Sequence, residues 1–408
     1  MKYIKRELEE AFMEANKNFK AIMVTGARQI GKTTMLEHLA QKQKRTTVTM
    51  DNEANRQLAK SDPNLFFQKF KPPILIDEAQ KAPELFETIK IICDETDETG
   101  LFWLTGSQSR ELLNKAGDTL AGRLAILKMY PFSTREKLAL TEFKEIDFTL
   151  DGLTTRQENF PANDINETFQ NIWLGGMPGT QNLSEKMLAV YYDSYINNYL
   201  IRDAVDDNGI TDTEGFRKFL RASASFAGQL INYTDIATSA GISVGTAKAW
   251  IRILQNMGIV YLLEPYYNNE LKRMIKTPKL YFIDTGLCAY LSRWTSKEVL
   301  MEGAASGHFY ENYVVIEILK NISNNVQRAN ITFYRDRDGR EVDVILEDDK
   351  GLHPFEIKQS TNPSKSEIRK FHLLEKSGIK LGNGGVICMC IEPFPIDDKN
   401  SLIPSNIL

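Results

Sequence analysis

Cysteine is scarce. The 408 residues hold four, Cys93, Cys288, Cys388 and Cys390, too few and too scattered for a disulfide scaffold. Cys388 and Cys390 alternate within the apolar stretch 386–391, which predicts a strand with both sulfurs on one face and a core role. Histidine is equally rare, and none of His38, His308, His353 and His372 is spaced from another as a zinc ligand pair. Glycine and proline, 25 and 14 residues, are too few for a collagen-like or low-complexity chain. No apolar run reaches the length of a membrane span. The opening residues 1–10 are charged and amphipathic, unlike the apolar segment of a secretory leader. A soluble, cytoplasmic protein with no membrane partner is expected. Lys and Arg number 50 against 54 Asp and Glu, a net charge of −4. That balance excludes a protein that coats nucleic acid through global basicity, but not one with a local basic patch.

What remains is a globular composition, 42% hydrophobic and 25% charged. At about 150 residues per domain the length predicts two to four domains. Short apolar segments (21–25, 46–50, 73–77 and 101–105) alternate with helical stretches up to about residue 131. Continuous apolar strands alternating with helices predict a parallel sheet covered on both faces.

The first strand runs into Gly26-Ala27-Arg28-Gln29-Ile30-Gly31-Lys32-Thr33-Thr34, which fits G-x-x-x-x-G-K-[ST] without substitution. Its glycines let the backbone curl so that consecutive N–H groups face phosphates at the positive end of a helix. Lys32 is placed to reach the β- and γ-phosphates of ATP, and the Thr33 hydroxyl to ligate Mg²⁺. Some 45 residues on, Ile74-Leu75-Ile76 ends in Asp77 and Glu78. Asp77 would stand beside the metal, and Glu78 would orient and polarise an attacking water, a pairing that favours hydrolysis. The next strand ends near Ser107 and Gln108, where a polar side chain would sense the γ-phosphate. Arg123, in Leu120-Ala121-Gly122-Arg123-Leu124, is the candidate arginine finger towards a neighbouring copy of the chain.

Together, Gly26 to Thr34, Ile74 to Gln80, Leu104 to Ser109 and Ala121 to Arg123 resemble a prokaryotic AAA-type ATPase joined to a C-terminal domain of unknown function. Gly175-Gly176-Met177-Pro178 and Tyr199-Leu200-Ile201-Arg202-Asp203 are similar to the helical linking region of that family. The resemblance spans nearly the whole chain and implies an AAA-like core with ATP as ligand.

The middle of the chain changes character. Residues 233–243 read as a helix, a glycine turn and an N-cap serine, followed by a helix over 244–257 that Gly258 ends. Two β segments, 259–263 and one through 281–283, then predict a hairpin with Asn268-Asn269 near its tip. A helix-turn-helix followed by a hairpin is a winged-helix signature. Residues 215–280 carry nine Lys and Arg against three Asp and Glu. Lys248 and Arg252 share a face of the second helix, and Lys272, Arg273 and Lys276 fall on the wing, all placed to meet DNA phosphates.

In the last segment a helix over 307–320 precedes strands at 331–335, 341–346 and 354–358. Asp343, Glu356 and Lys358 lie on the second and third of these. One residue apart on a strand, Glu356 and Lys358 point to one face. With Asp343 they suit one Mg²⁺ beside a lysine, and Glu311 offers a further carboxylate. The arrangement resembles the PD-(D/E)XK nuclease-like pattern, with Val342 in place of the usual proline.

The expected architecture is therefore α/β. An AAA-like P-loop domain (1–131) leads through a helical linker (132–215) and a winged-helix domain (216–298) to a restriction-endonuclease-like domain (299–408). The leading functional expectation is an ATPase whose nucleotide state controls the later modules, acting on DNA. An ATP-licensed endonuclease and a non-cleaving switch that binds a protein partner or assembles with itself are the alternatives.

Overall fold

The computed structural model describes residues 3–107, 116–142, 145–266 and 276–408. Gln108, Lys272, Arg273 and the Asn268-Asn269 tip lie outside them. The chain divides into two compact units, one running to Phe132 and including the short pieces 256–258 and 323–325, the other comprising the rest from Ser133.

The first unit holds five strands: β1 (Ala21–Gly26), β2 (Thr46–Thr49), β3 (Ile74–Asp77), β4 (Phe102–Ser107) and β5 (Leu124–Lys128). They pair in parallel in the order β2-β3-β4-β1-β5. Helices α1 (Leu8–Asn18), α2 (Lys32–Gln43), α3 (Glu53–Ser61), α4 (Pro63–Lys69) and α5 (Leu85–Asp94) accompany them. The strands read as unbroken apolar runs because β1 and β3 are buried along their whole length. In an open parallel sheet, ligands bind at the carboxyl ends of the strands where the strand order reverses. Here β1 carries the chain out to the far edge while β5 pairs on its other side, so the glycine-bearing loop after β1 sits at that point.

The second unit begins with helices at Thr134–Leu138, Leu150–Gln157, Ile165–Leu174 and Glu185–Tyr195. The last continues through one π-helical turn, Ile196–Leu200, into Ile201–Asp206. The Gly175-Gly176 motif has a structural reason. Gly175 has φ +74°, and a Cβ there would lie 2.6 Å from the Asp284 carboxylate. Asp284 accepts from Gly176 N at 2.7 Å, Tyr192 Oη at 2.8 Å and Leu287 N at 2.8 Å. This one carboxylate caps the helix Thr285–Leu291 and ties it to the helical region before it.

Helices Thr213–Ala224, Tyr233–Ala240 and Val244–Asn256 surround β6 (Gln229–Leu230), β7 (Val260–Leu263) and β8 (Lys279–Phe282), an antiparallel sheet in the order β6-β8-β7. Trp250 packs edge-on against Phe216 and Phe219, both with ring centroids at 5.3 Å. After the helix Ser306–Asn324 comes a six-stranded sheet of β9 (Asn330–Arg335), β10 (Glu341–Asp348), β11 (Gly351–Lys358), β12 (Gly384–Cys388), β13 (Phe394–Pro395) and β14 (Asn400–Pro404). Its order is β13-β14-β12-β11-β10-β9, with β11, β12 and β14 parallel and β9 to β11 antiparallel. Cys388 and Cys390 are buried with Val386 and Leu402, the core role expected of them. A 3₁₀ stretch, Lys365–Ser377, lies between β11 and β12.

Replacing Asp284 with Ala leaves the Gly176 and Leu287 amides and the Tyr192 hydroxyl without their acceptor. We expect a stability loss of about 3 kcal/mol in urea denaturation; a loss below about 1 kcal/mol would show that Asp284 does not hold this junction.

Candidate functional site

Among the described residues, the predicted site residues fall in two polar constellations, one in each unit. In the first unit the loop after β1 leads directly into α2. Gly31 occupies the N-cap with φ +93°, a conformation available to glycine, and no side chain caps the helix. The first-turn amides of α2 therefore face the loop without a side-chain acceptor, the arrangement that receives an anion. Ala27, Ile30 and Lys32 are buried, whereas Gln29 and Thr34 are exposed and Arg28 half-buried. Lys32 folds its ammonium onto the loop itself, donating to Gly26 O at 2.9 Å and Ala27 O at 2.7 Å. Arg6 braces the loop from outside the motif, donating to Ile30 O at 2.8 Å and Tyr130 O at 2.6 Å.

Asp77 ends β3 and is buried. Its Oδ1 accepts from the Thr33 hydroxyl at 2.5 Å and the Thr105 hydroxyl at 2.6 Å. Thr49 donates to Oδ2 at 3.3 Å. Thr105 in turn accepts from the Glu78 amide at 2.9 Å, so one hydroxyl links both members of the acidic pair. Glu78 sits in the left-handed region, φ +56° and ψ +45°, which is uncommon for a residue with a side chain. Gln80 Nε2 donates to its carboxylate at 2.5 Å. A hydroxyl and a carboxylate in contact beside an uncapped helix start are the donor set that suits a phosphate-bound Mg²⁺.

Thr105 and Arg6 went unread in the sequence. Thr105 lies on β4, the strand that ends at Ser107. Ser107 ends β4. Arg123 falls at the other edge of the sheet: its carbonyl accepts from Ala21 N, at the start of β1, at 3.1 Å. Its guanidinium meets Asp94 and also donates to Ala121 O at 2.7 Å. It does not belong to the loop of its own chain, because the whole length of β1 intervenes.

In the second unit, Lys358 meets Asp343 and Glu356, and Glu311 is linked to Asp343 through Lys279. Lys358 Nζ lies 2.9 Å from Glu356 Oε2 and 3.5 Å from Asp343 Oδ2, and the Ile357 amide donates to Asp343 at 2.9 Å. The register of β10 against β9 shifts between Val342 and Ile345, so Asp343 stands at a bulge. Bulges re-aim side chains in this way. Two lysines that the sequence did not single out join the group. Lys370 donates to Glu356 at 2.9 Å. Lys279 lies 2.8 Å from Glu311 Oε1, 3.8 Å from Asp343 Oδ1 and against Glu341. Counted with the solvent-facing charges of 215–280, Lys279 is in fact buried among acids and adds nothing to a basic surface.

The electrostatics follow from burial. Burial works against the charge of Lys279, but Glu311, Asp343 and Glu341 outweigh it and hold the ammonium above its ordinary range. Asp343 is likewise opposed by burial yet kept below the usual carboxylate value by Lys279 and Lys358. Glu356 goes the other way, pushed up to about 7 by burial and then by the charge of Asp343. Among the described residues, no three Asp, Glu, His or Cys side chains are spaced to hold a metal ion. Lys248, Arg252 and Lys276 are exposed, and Ala247, Trp250, Ile251 and Leu254 form the buried side of the helix that carries Lys248 and Arg252.

Because Glu356 is raised, the native state keeps this proton longer than the unfolded chain. Its contribution to stability therefore falls as pH rises from about 4.5 to about 7 and is flat on either side. Glu356→Gln should remove a decline on the order of 3 kcal/mol from urea titrations across that window. An unchanged slope in the variant would assign the titration elsewhere.

Residues 18–138 match the family model described as an AAA domain. Residues 166–298 and 306–408 match two domains of unknown function, DUF8612 and DUF4143. Uncharacterized proteins of Mycobacterium bovis and Mycobacterium tuberculosis are each 26% identical over 387 residues, 94% of this chain and 80% of theirs. An uncharacterized protein of Haemophilus influenzae is 24% identical over 64% of this chain and 60% of its own. Among solved structures, the Thermotoga maritima RuvB Holliday junction branch migration motor aligns with 62% of this chain and 88% of its own at 14% identity. The TM-score is 0.28, too low to bear on fold or function. The AAA match and the parallel sheet with its loop together support an AAA-type P-loop ATPase fold for the N-terminal part. No helix among the described residues is long and apolar enough to cross a membrane.

Proposed function

We propose that the chain binds ATP with Mg²⁺ at the loop after β1 and hydrolyses it, and that its nucleotide state governs DNA-directed C-terminal modules. The observation that carries the ATPase reading is the hydroxyl-linked set Thr33, Asp77, Thr105 and Glu78 at the carboxyl ends of adjacent strands. The residues Gly26 to Thr34 would cradle the phosphates, with Lys32 turning from its loop carbonyls to their charge. Thr33 and Asp77 would hold Mg²⁺, which supplies charge neutralisation of the phosphates when bound. Glu78 would orient the attacking water, its position set by the Thr105 hydroxyl on its amide. Ser107 and Gln108 keep the sensor role as candidates, and Arg123 that of a finger offered to a second copy.

For the later modules we retain the division into a linker (132–215), a winged helix (216–298) and a nuclease-like domain (299–408). The helix-turn-helix followed by β7 and β8 supports the winged-helix reading. Exposed Lys248, Arg252 and Lys276 support contact with DNA phosphates, with Lys272 and Arg273 as further candidates. The convergence of Asp343, Glu356 and Lys358 favours a second reading, an endonuclease licensed by ATP.

Phosphate release with and without DNA tests these readings. Lys32→Ala and Glu78→Gln should each lower turnover by about 100-fold or more, with Glu78→Gln still binding nucleotide. Retained hydrolysis in Glu78→Gln would remove that residue from the water-orienting role. DNA should stimulate release, and a chain indifferent to DNA would favour a switch that binds a protein. Replacing both Lys248 and Arg252 with Glu should weaken DNA binding and reduce the slope of log affinity against log salt by about 2. An unchanged affinity and slope would place DNA elsewhere or nowhere on the chain.

A further inference from the structure

Glu78 is held at three places. Its amide donates to Thr105 Oγ1 at 2.9 Å, and its carbonyl accepts from Lys81 N at 3.0 Å. Its carboxylate Oε2 accepts from Gln80 Nε2 at 2.5 Å. The backbone between these anchors lies in the left-handed region, φ +56°, which a residue with a side chain keeps only when its surroundings impose it. Strain of this kind gathers where a side chain has to be aimed.

The turn that supplies two of the anchors is itself secured. Ala79–Lys81 forms one 3₁₀ turn directly after Glu78. Ala79 is buried in the apolar core of the first unit, and Lys81 pairs with Asp51 just beyond β2. Gln80, between them, turns back to Glu78. The bond joins residues two apart on one turn, so it needs no bound ligand to form. An ionised carboxylate only accepts hydrogen bonds, so the amide presents its nitrogen to it. The other end of the amide, Oε1, is buried and has no hydrogen-bond partner among the described residues. Leaving a buried amide oxygen unsatisfied is costly, so the bond to Glu78 is the contact for which this side chain is placed.

We infer that Gln80 is a positioning residue of the hydrolytic site: by holding Oε2 of Glu78 it orients the carboxylate and leaves Oε1 to accept a hydrogen bond from the attacking water. The inference rests on the proposed ATPase reading and deepens it by naming what aims the water-orienting acid. Among the described residues Oε1 has no hydrogen-bond partner, and Glu78 is only half-buried. A neutral amide suits this task better than a lysine or arginine. It fixes the direction of the carboxylate without supplying a counter-charge, so the charge of Glu78 stays available to polarise water. A carboxylate free to swing would spend part of its time out of reach, and a misplacement of about 1 Å costs on the order of 100-fold in rate.

The test is phosphate release by the full chain with Mg²⁺ over a range of ATP concentrations, beside its affinity for a non-hydrolysable ATP analogue. Gln80→Met, of similar length but without a donor, should lower kcat about tenfold or more while KM and the affinity for the analogue stay within about twofold of native. Gln80→Asn keeps the amide one methylene short and should lose less than Gln80→Met. It also stands in where Gln80→Met does not fold, lowering kcat in the same sense with binding unchanged. In a Glu78→Ala background, followed in single turnovers with enzyme in excess, Gln80→Met should cost nothing further, since Gln80 acts only through the carboxylate. A native kcat in Gln80→Met, a change confined to KM, or the same fractional loss with and without the Glu78 carboxylate would overturn the inference. A native chain that releases no phosphate sinks the ATPase reading and this inference with it. Hydrolysis that is native in Gln80→Met but lost in Glu78→Ala removes Gln80 alone and leaves the ATPase reading standing.

Discussion

A carboxylate taken out of water has to be matched, and the kind of match determines what each buried acid of this chain is able to do. Asp77, Asp284, Asp343 and Glu356 are all buried. An unmatched carboxylate in such surroundings would either take up a proton or open the structure, so the partners are structural requirements first. Asp284 is matched by two amides and a phenol, groups fixed by the fold and unable to leave. Nothing about that set invites a ligand. It joins Gly175-Gly176 to a helix start.

Asp77 is matched differently. Hydroxyls from Thr33, Thr49 and Thr105 rotate freely and serve as donor or acceptor. A metal ion approaching this group needs only a reorientation of protons, since the same Thr33 oxygen that donates to Asp77 has lone pairs to offer a cation. Lys32 donates to two loop carbonyls, neutral acceptors that an ammonium exchanges readily for a charged one. These hydroxyl and carbonyl partners suit an incoming phosphate and Mg²⁺. Asp343 and Glu356 are matched by lysines, which carry charge of their own. This contrast in matching sets hydroxyls in one unit against ammonium groups in the other.

How much of this was legible follows the same division. The loop Gly26 to Thr34 could be read because its chemistry is contiguous: turn, helix start, lysine and hydroxyl lie within nine residues. Asp77 and Glu78 were legible because an apolar strand ending in two acids is itself a local pattern. Asp343, Glu356, Lys358 and Glu311 were recognisable as a set only through a known spacing. Their neighbours were not: Lys370 lies 12 residues beyond Lys358 in a 3₁₀ stretch, and Lys279 opens an otherwise apolar strand that suggests nothing of its acidic surroundings. Thr105 was hidden in plain alternation, two residues before the polar tip that drew attention. Arg6 is 24 residues from the carbonyl it holds, and only the folded chain brings them together. Arg123 is a different case. The parallel register sets it at the amino edge of the sheet beside Asp94, away from the loop of its own chain.

Charge gives the last step. The net −4 of the whole chain conceals a basic middle segment, and that segment in turn conceals Lys279. A count along the sequence treats every lysine as a charge offered to solvent. Field at a surface comes only from charges that face it, and a buried ammonium surrounded by acids contributes almost none at a distance. The exposed basic residues of this segment thus include Lys248 and Arg252, on the helix face opposite Trp250, and Lys276. One lysine on β8 therefore changes two readings at once. It lowers the positive charge available to a polyanion outside, and it neutralises Glu311, Glu341 and Asp343 inside.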